Sequence, residues 1–303
     1  MTRRPRARWA RLLTEGRNPR SRRLDALPIA EVVALLLAED RRAIQATERR
    51  HRSIARAAAA VAHTLQEGGR VVFAGAGTSG RLGVLEAAEC PPTFGTDPAR
   101  IRAVMAGGKE SVFLAREGAE DRSGEGRKAG RSLRSRDTLI GISASSVTPF
   151  VRGVLAAARA RGARTVLVTC APGGGLRRLA DIVIAIRSGP EVLTGSTRLK
   201  AGTATKAALN AITTAAMVRL GKAYENLMVD LRPTSAKLRD RSRRIVAAAA
   251  GVGPATAARL LSRSGGDVKT AIVMGRLRVS AADARRRLEG AEGHVRRALD
   301  GAG

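Results

Sequence analysis

The chain has 303 residues, 44% of them apolar but only 2% aromatic, and a formal net charge of +29. That length allows a full core, built here from Ala, Val, Leu and Ile, and no apolar run reaches the roughly 18 residues of a membrane span. The two cysteines, Cys90 and Cys170, and the scattered His51, His63 and His294 make neither a disulfide framework nor a metal-ligand cluster, so a cytoplasmic protein with no metal is expected.

Seven of the 55 basic residues are Lys, and the Arg are spread through every segment. Such a spread looks like coding bias rather than a binding stripe. The aromatic interleaving that single-strand binders use is absent, so specific nucleic-acid binding is not expected. The charge favours an anionic substrate and says no more. The N-terminus is basic, with a short apolar patch at Trp9 and Leu12-Leu13, and lacks the apolar core of a secretory signal.

In chain order, the stretch from Leu27 to Gly69 has an Ala-rich helical period and predicts two helices. "RVVFAGAG" predicts a strand, and "RLGVLEAAE" a helix stopped by Pro91-Pro92. "IRAVMAGG" is a second strand. "KESVFLAREGAED" predicts a helical stretch running into a charged loop. "DTLIGISAS" is a third strand and "TPFVRGVLAAARARG" its helix, with Pro149 in the first turn. "RTVLVTC" is a fourth strand, and "LRRLADIVIAI" a short helix and a fifth. A long helix runs through "TATKAALNAITTAAMVRLG". From about Arg241 an Ala/Arg-rich part, broken at "GVGP", "SGGD" and "EGAEG", predicts three small helices. Alternating strands and helices imply an α/β fold, a parallel sheet covered on both faces. The expected organisation is an arm and helices over 1–60, the α/β domain over 61–240 and a helical appendage over 241–303.

The run Gly75-Ala76-Gly77-Thr78-Ser79-Gly80 fits G-x-G-x-x-G. A dinucleotide site would add an acidic residue about 20 positions on, at the end of the second strand. Asp97 has the spacing but precedes that strand, so the fingerprint is incomplete. Hydroxyl residues recur at two further places, "SASSVTP" (Ser143, Ser145, Ser146, Thr148) and "TGSTRLKAGT". Backbone N–H groups at a helix start, joined by Ser and Thr hydroxyls, bind an anion without a cofactor. The same residues also serve as ordinary helix caps. Three such clusters beside one sheet edge favour a phosphate site.

The motifs "LTEGRNPRSRRLDALP", "GAGTSGRLGVLEAAECPPTFG", "EGAED", "TPF", "GPEVLTGSTRLKAGTATKAALN" and "NLMVD" resemble the N-acetylmuramic acid 6-phosphate etherase family, from about Leu13 to Arg241 and weakly on through "KTAIVM". The resemblance implies a sugar isomerase (SIS) domain, a flavodoxin-like parallel sheet with helices on both faces, plus N-terminal helices and a small C-terminal helical appendage. It implies cleavage of the lactyl ether of N-acetylmuramic acid 6-phosphate, giving N-acetylglucosamine 6-phosphate and D-lactate, without metal or nucleotide cofactor. In the open-chain sugar the aldehyde acidifies the proton on carbon 2, and its loss expels lactate from carbon 3. One carboxyl must then be ionised and another protonated.

The resemblance carries these roles to Glu89 as proton donor and Glu120 as acid/base, here the candidate base. Burial beside Ala87, Ala88 and Cys90 would raise the pKa of Glu89, whereas Glu86 reads as solvated. Thr78, Ser79, Gly80, Ser145, Thr148, Ser196 and Lys200 are the expected substrate contacts, Lys200 by adding a point charge to the phosphate. Asn226 and Asp230 are left undecided between site-lining and structural. A helix from Ser79 to Glu89 is about 15 Å long, which is long for one sugar phosphate. A homodimer completing the site across its interface is therefore expected.

Three positions depart from the family pattern: Ser146-Val147 stand where Gly-Arg is usual, Ala171 for Asn and Glu225 for Gly. The first departure is expected to affect affinity or the sugar accepted. The alternatives are a non-enzymatic phosphosugar-sensing regulator, which would need no catalytic carboxyls, and an aldose–ketose isomerase.

Overall fold

A computed structural model describes residues 12–171, 173–231, 233 and 235–301. Most of the basic N-terminal arm, Trp9 included, lies outside the described residues. The chain falls into two compact units: the described residues up to Ala88 with Ala99–Thr213, and Glu89–Pro98 with those from Thr214 on.

The first unit holds a five-stranded parallel sheet of β1 (Val71–Gly75), β2 (Ile101–Met105), β3 (Thr138–Ile142), β4 (Arg164–Thr169) and β5 (Ile182–Ala185). Its order, β2-β1-β3-β4-β5, is the flavodoxin-like one. Gly75 is level with Met105 on one side and Ile142 on the other, so three strands end together. Two N-terminal helices, α1 (Ile29–Glu48) and α2 (His51–Gln66), precede the sheet. Helix α3 (Gly77–Phe94) follows β1, and α4 (Ser123–Arg131), α5 (Pro149–Ala160) and α6 (Lys200–Arg219) complete the helices that begin in this unit.

Strand alternation sends side chains to both faces. Val72, Ala74, Leu139 and Leu167 join Val151, Val154 and Leu155 of α5 in one core cluster. On the other face Phe73 and Ile142 meet Gly83 of α3, where an added Cβ would lie 2.9 Å from Phe73 Cβ. Thr64 at the end of α2 shares a 2.6 Å hydrogen bond with Thr138.

Four expectations change. Helix α3 runs through Pro91-Pro92 to Phe94. Each ring removes one hydrogen bond but fixes φ near the helical value, so the last turn forms, and Gly95 at φ +63° ends it. "KESVFLAREGAED" forms two 3-10 turns, Lys109–Val112 and Ala119–Asp121, rather than a helix. Helix α4 follows where a loop is expected, because its glycines serve close packing. A Cβ on Gly126 would lie 2.1 Å from Phe150 O, one on Gly130 2.5 Å from Val154 O, and one on Gly153 2.2 Å from Ser123 O. Among the described residues the C-terminal part has five helices, not three: α7 (Ala236–Ala250), α8 (Pro254–Arg263), α9 (Val268–Leu277), α10 (Ala281–Gly290) and α11 (Val295–Asp300). The overlooked break after α9 uses Arg278 at φ +57° and Ser280, whose Oγ accepts from Asp283 N at 3.1 Å.

In the second unit, Tyr224, Val246, Ile272, Val273 and Val295 are part of a single apolar core. A short hairpin of β6 (Ala223–Tyr224) and β7 (Leu227–Met228) precedes α7. Asp230 takes the ammonium groups of Lys222 at 2.7 Å and Lys269 at 2.9 Å, a structural role, while Asn226 lies exposed in the hairpin turn. Among the described residues no single helix is long and apolar enough to cross a membrane; α7 and α8 pass only as a pair bent by 106°.

Candidate active site

The chain turns opposite ways after β1 and β3, and ligands of such sheets bind where those carboxyl ends diverge. Gly75–Gly80 leave β1 and Ser143–Thr148 leave β3 at this point. The glycines have separate duties. A Cβ on Gly75 would sit 2.7 Å from Gly80 N, and one on Gly80 would sit 2.8 Å from Gly75 O and from Met105 Cγ. Strand and helix could not meet with larger residues. Gly77, at φ +52°, is exposed, and its Cβ position faces open space. The start of α3 is thereby bared to a ligand.

Thr78, Ser79, Ser145 and Ser196 are half-buried. Ser143 and Thr148 hydrogen-bond each other at 2.8 Å, which fixes the β3 loop. The third hydroxyl stretch reaches the first loop: a Cβ on Gly202 would lie 3.7 Å from both Thr78 Cγ2 and Thr197 O.

Beside this crevice is a cavity of about 220 Å³, lined by Gly77, Arg81, Met105, Ser111, Arg116 and Glu120 among others. Glu120 follows Gly118, which takes φ +71° and opens the 3-10 turn Ala119–Asp121. Arg81 donates to the carbonyls of Val112 at 2.8 Å and Ser111 at 2.9 Å, fixing the facing wall. A more open hollow of about 430 Å³ lies between the N-terminal 3-10 turns (Pro19–Ser21 and Leu24–Ala26) and residues 192–194. The smaller cavity is the better candidate, because both Gly77 of the glycine loop and a candidate carboxylate, Glu120, line it.

Lys200 does not carry a free charge to this edge. It is 3% exposed, and its Nζ lies 2.5 Å from Glu39 Oε2, so its expected phosphate contact is replaced by a buried ion pair. Glu86 is buried, not solvated, and accepts a hydrogen bond from Thr213 Oγ1. Glu89 belongs to the second unit and is exposed, so the chain itself does not supply the burial expected of it. Burial pushes the Cys170 thiol up to about 11, which suits a core residue rather than a nucleophile. Sequence reasoning missed Ser111 and Arg81. Arg81 stands in the motif that opens α3 but reads there as a plain helix residue, while Ser111 belongs to no motif, and only the register of β1 with β2 places its turn beside the loop.

A family model described as the glucokinase regulatory protein N-terminal SIS domain matches residues 53–159, and one described as the SIS domain matches residues 127–215. Proteins named N-acetylmuramic acid 6-phosphate etherase are similar to the chain over nearly its whole length. One from Rubrobacter xylanophilus is 49% identical over 96% of this chain and 97% of its own. One from Salinibacter ruber is 47% identical, over 96% and 94%. One from Mycolicibacterium smegmatis is 47% identical, over 96% and 98%.

Proposed function

Since the chain belongs to the N-acetylmuramic acid 6-phosphate etherase family, we propose that the crevice between β1 and β3 and its side cavity hold the open-chain form of that phosphosugar. The protein is an etherase, a carbon–oxygen lyase. The observation that carries the site is the cavity shared by Gly77 and Glu120 at the carboxyl edge of the sheet. The bared start of α3 takes the phosphate, through backbone N–H groups and the hydroxyls of Thr78 and Ser79. Ser145, Thr148 and Ser196 contribute from the neighbouring loops.

Glu120 removes the proton on carbon 2, made acidic by the aldehyde. The electron pair forms the carbon 2–carbon 3 double bond and expels the lactyl oxygen, which Glu89 protonates. Water then adds at carbon 3, giving N-acetylglucosamine 6-phosphate and D-lactate, products suited to peptidoglycan amino-sugar recycling in the cytoplasm. A homodimer completes the site. The exposure of Glu89 supports this, since a second copy would supply its desolvation. Helix α1 supports it too, with Ile29 84%, Val33 49% and Leu37 61% exposed along one apolar row.

Incubating the purified protein with N-acetylmuramic acid 6-phosphate and assaying D-lactate tests the reading. Lactate release is expected. Phosphosugar binding with no lactate would make the protein a phosphosugar-sensing regulator, the reading that the match to the glucokinase regulatory protein domain supports.

A further inference from the structure

Ser111 lies in the 3-10 turn Lys109–Val112 that follows β2. It is 3% exposed, and its hydroxyl has no hydrogen-bond partner among the described residues. A buried hydroxyl is costly to leave unpaired, so the group calls for a ligand or water. Its position is firmly set. Arg81 holds the carbonyls of Ser111 and Val112, and Ser111 N donates to Gly108 O at 3.2 Å. Gly107, at φ +78°, leaves the space, since a Cβ there would lie 2.3 Å from Ser111 Oγ.

The cavity that Ser111 lines is otherwise apolar on one side, through Ala76, Met105, Ala106, Ala115 and Ala119. A single hydroxyl set in an alanine and methionine wall suits a small neutral group with one acceptor and one methyl. It suits a phosphate poorly. Arg81 is engaged by two carbonyls and Arg116 by Glu110, while Glu117 and Glu120 add negative charge.

We propose that the Ser111 hydroxyl donates to the carbonyl oxygen of the substrate's acetamido group, whose methyl packs on the alanine and methionine wall. This assignment rests on the etherase reading and on Glu120 as the base. The chemistry is consistent: the acetamido group and the acidic hydrogen share carbon 2. The base and the acetamido donor must therefore meet in one cavity, as Glu120 and Ser111 do.

The test is equilibrium binding of N-acetylglucosamine 6-phosphate and glucose 6-phosphate to wild type and Ser111→Ala, with Tm and D-lactate release measured alongside. Ser111→Ala is expected to lose about tenfold in affinity for the N-acetyl sugar and less than about twofold for glucose 6-phosphate. KM for the etherase substrate should rise by a similar factor. Tm should hold or rise, because an unpaired buried group is removed. Should glucose 6-phosphate bind neither protein, loss of the N-acetyl sugar at unchanged Tm decides in favour. Equal loss for both sugars, or no loss for either, overturns the assignment. A Tm lower by several degrees marks a structural hydroxyl and overturns it too. Wild type that binds both sugars but releases no lactate sinks the etherase reading, while the affinity ratio still reports on Ser111.

Discussion

Lys200 Nζ lies 2.5 Å from Glu39 Oε2, with both side chains 3% exposed. Asn18 Nδ2 adds a hydrogen bond to the same oxygen at 2.9 Å. Burial pushes the Glu39 carboxyl up, but the Lys200 ammonium and the Asn18 amide outweigh it and hold the pKa below the usual range. The pair joins α1, the N-terminal turns and the start of α6. Nearby, Glu191 accepts from Lys200 N at 3.2 Å and Ala201 N at 2.9 Å, capping α6. Removing one ion strands the other, at a cost of about 3 kcal/mol. Lys200→Met should therefore destabilise strongly in urea unfolding, and Glu39→Met/Lys200→Met should recover most of the loss. An unchanged KM in the double variant is expected; a large rise would return Lys200 to the phosphate.

Asp137 is buried at the start of β3 and pairs with Arg70 Nη2 at 2.6 Å. It also accepts from the backbone of Arg70 at 2.8 Å and of Arg134 at 3.0 Å. Burial raises its pKa, but the Arg70 guanidinium and the two amides win and lower it. Folding thus favours the ionised form. The stabilisation is complete above the ordinary carboxylate pKa of about 3.9 and is lost as pH falls through the lowered folded value. Asp137→Asn should cost about 3 kcal/mol near neutrality. The gap to wild type should close in acid. Urea midpoints measured from pH 7 down to pH 3 check this; a gap constant over that range would contradict it.

Two of the three family departures fall on left-handed backbone. Ser146 has φ +59° and Glu225 has φ +53°, the region that glycine enters freely. Ser146 also buries a hydroxyl with no hydrogen-bond partner among the described residues against Gly174, where a Cβ would lie 2.2 Å from Ser146 Cβ. Ser146→Gly and Glu225→Gly should each stabilise by about 1 kcal/mol. Thermal unfolding of the two variants and their combination measures the gain, which should be additive for sites in different units.

Glu120→Gln and Glu89→Gln should each lower kcat by roughly 10²- to 10⁴-fold while leaving Tm nearly unchanged. If a second copy completes the site, co-expressing Glu89→Ala with Ser79→Ala should restore activity in mixed dimers. Mixed dimers that stay inactive, with each homodimer folded, would exclude sharing.

The sheet was legible because its strands are short apolar runs rich in Val and Ile, and the glycine loop because its glycines follow one of them. Helix α4 was hidden because glycine at 124, 126 and 130 reads locally as loop, and only its contact with α5 makes it helical. The break at Arg278–Ser280 did carry a signal, the S-x-x-D pattern of Ser280 and Asp283. Glu86 and Glu89 differ by one helical turn in sequence, yet one is buried and the other exposed. No composition rule separates them, because the difference is set by what packs on each. Lys200 was misplaced for the same reason: its partner is 161 positions away.

The glycines of α4 also bear on how the chain folds. Glycine costs about 1 kcal/mol in a helix interior, and a nine-residue helix is marginal even without it. Helix α4 therefore cannot nucleate alone and must wait for α5 to offer its backbone. Hydrogen exchange should show the two helices opening together, with α4 amides protected only once α5 amides are. Helix α4, which begins two residues after the turn that carries Glu120, would thus be among the last parts of the first unit to take shape.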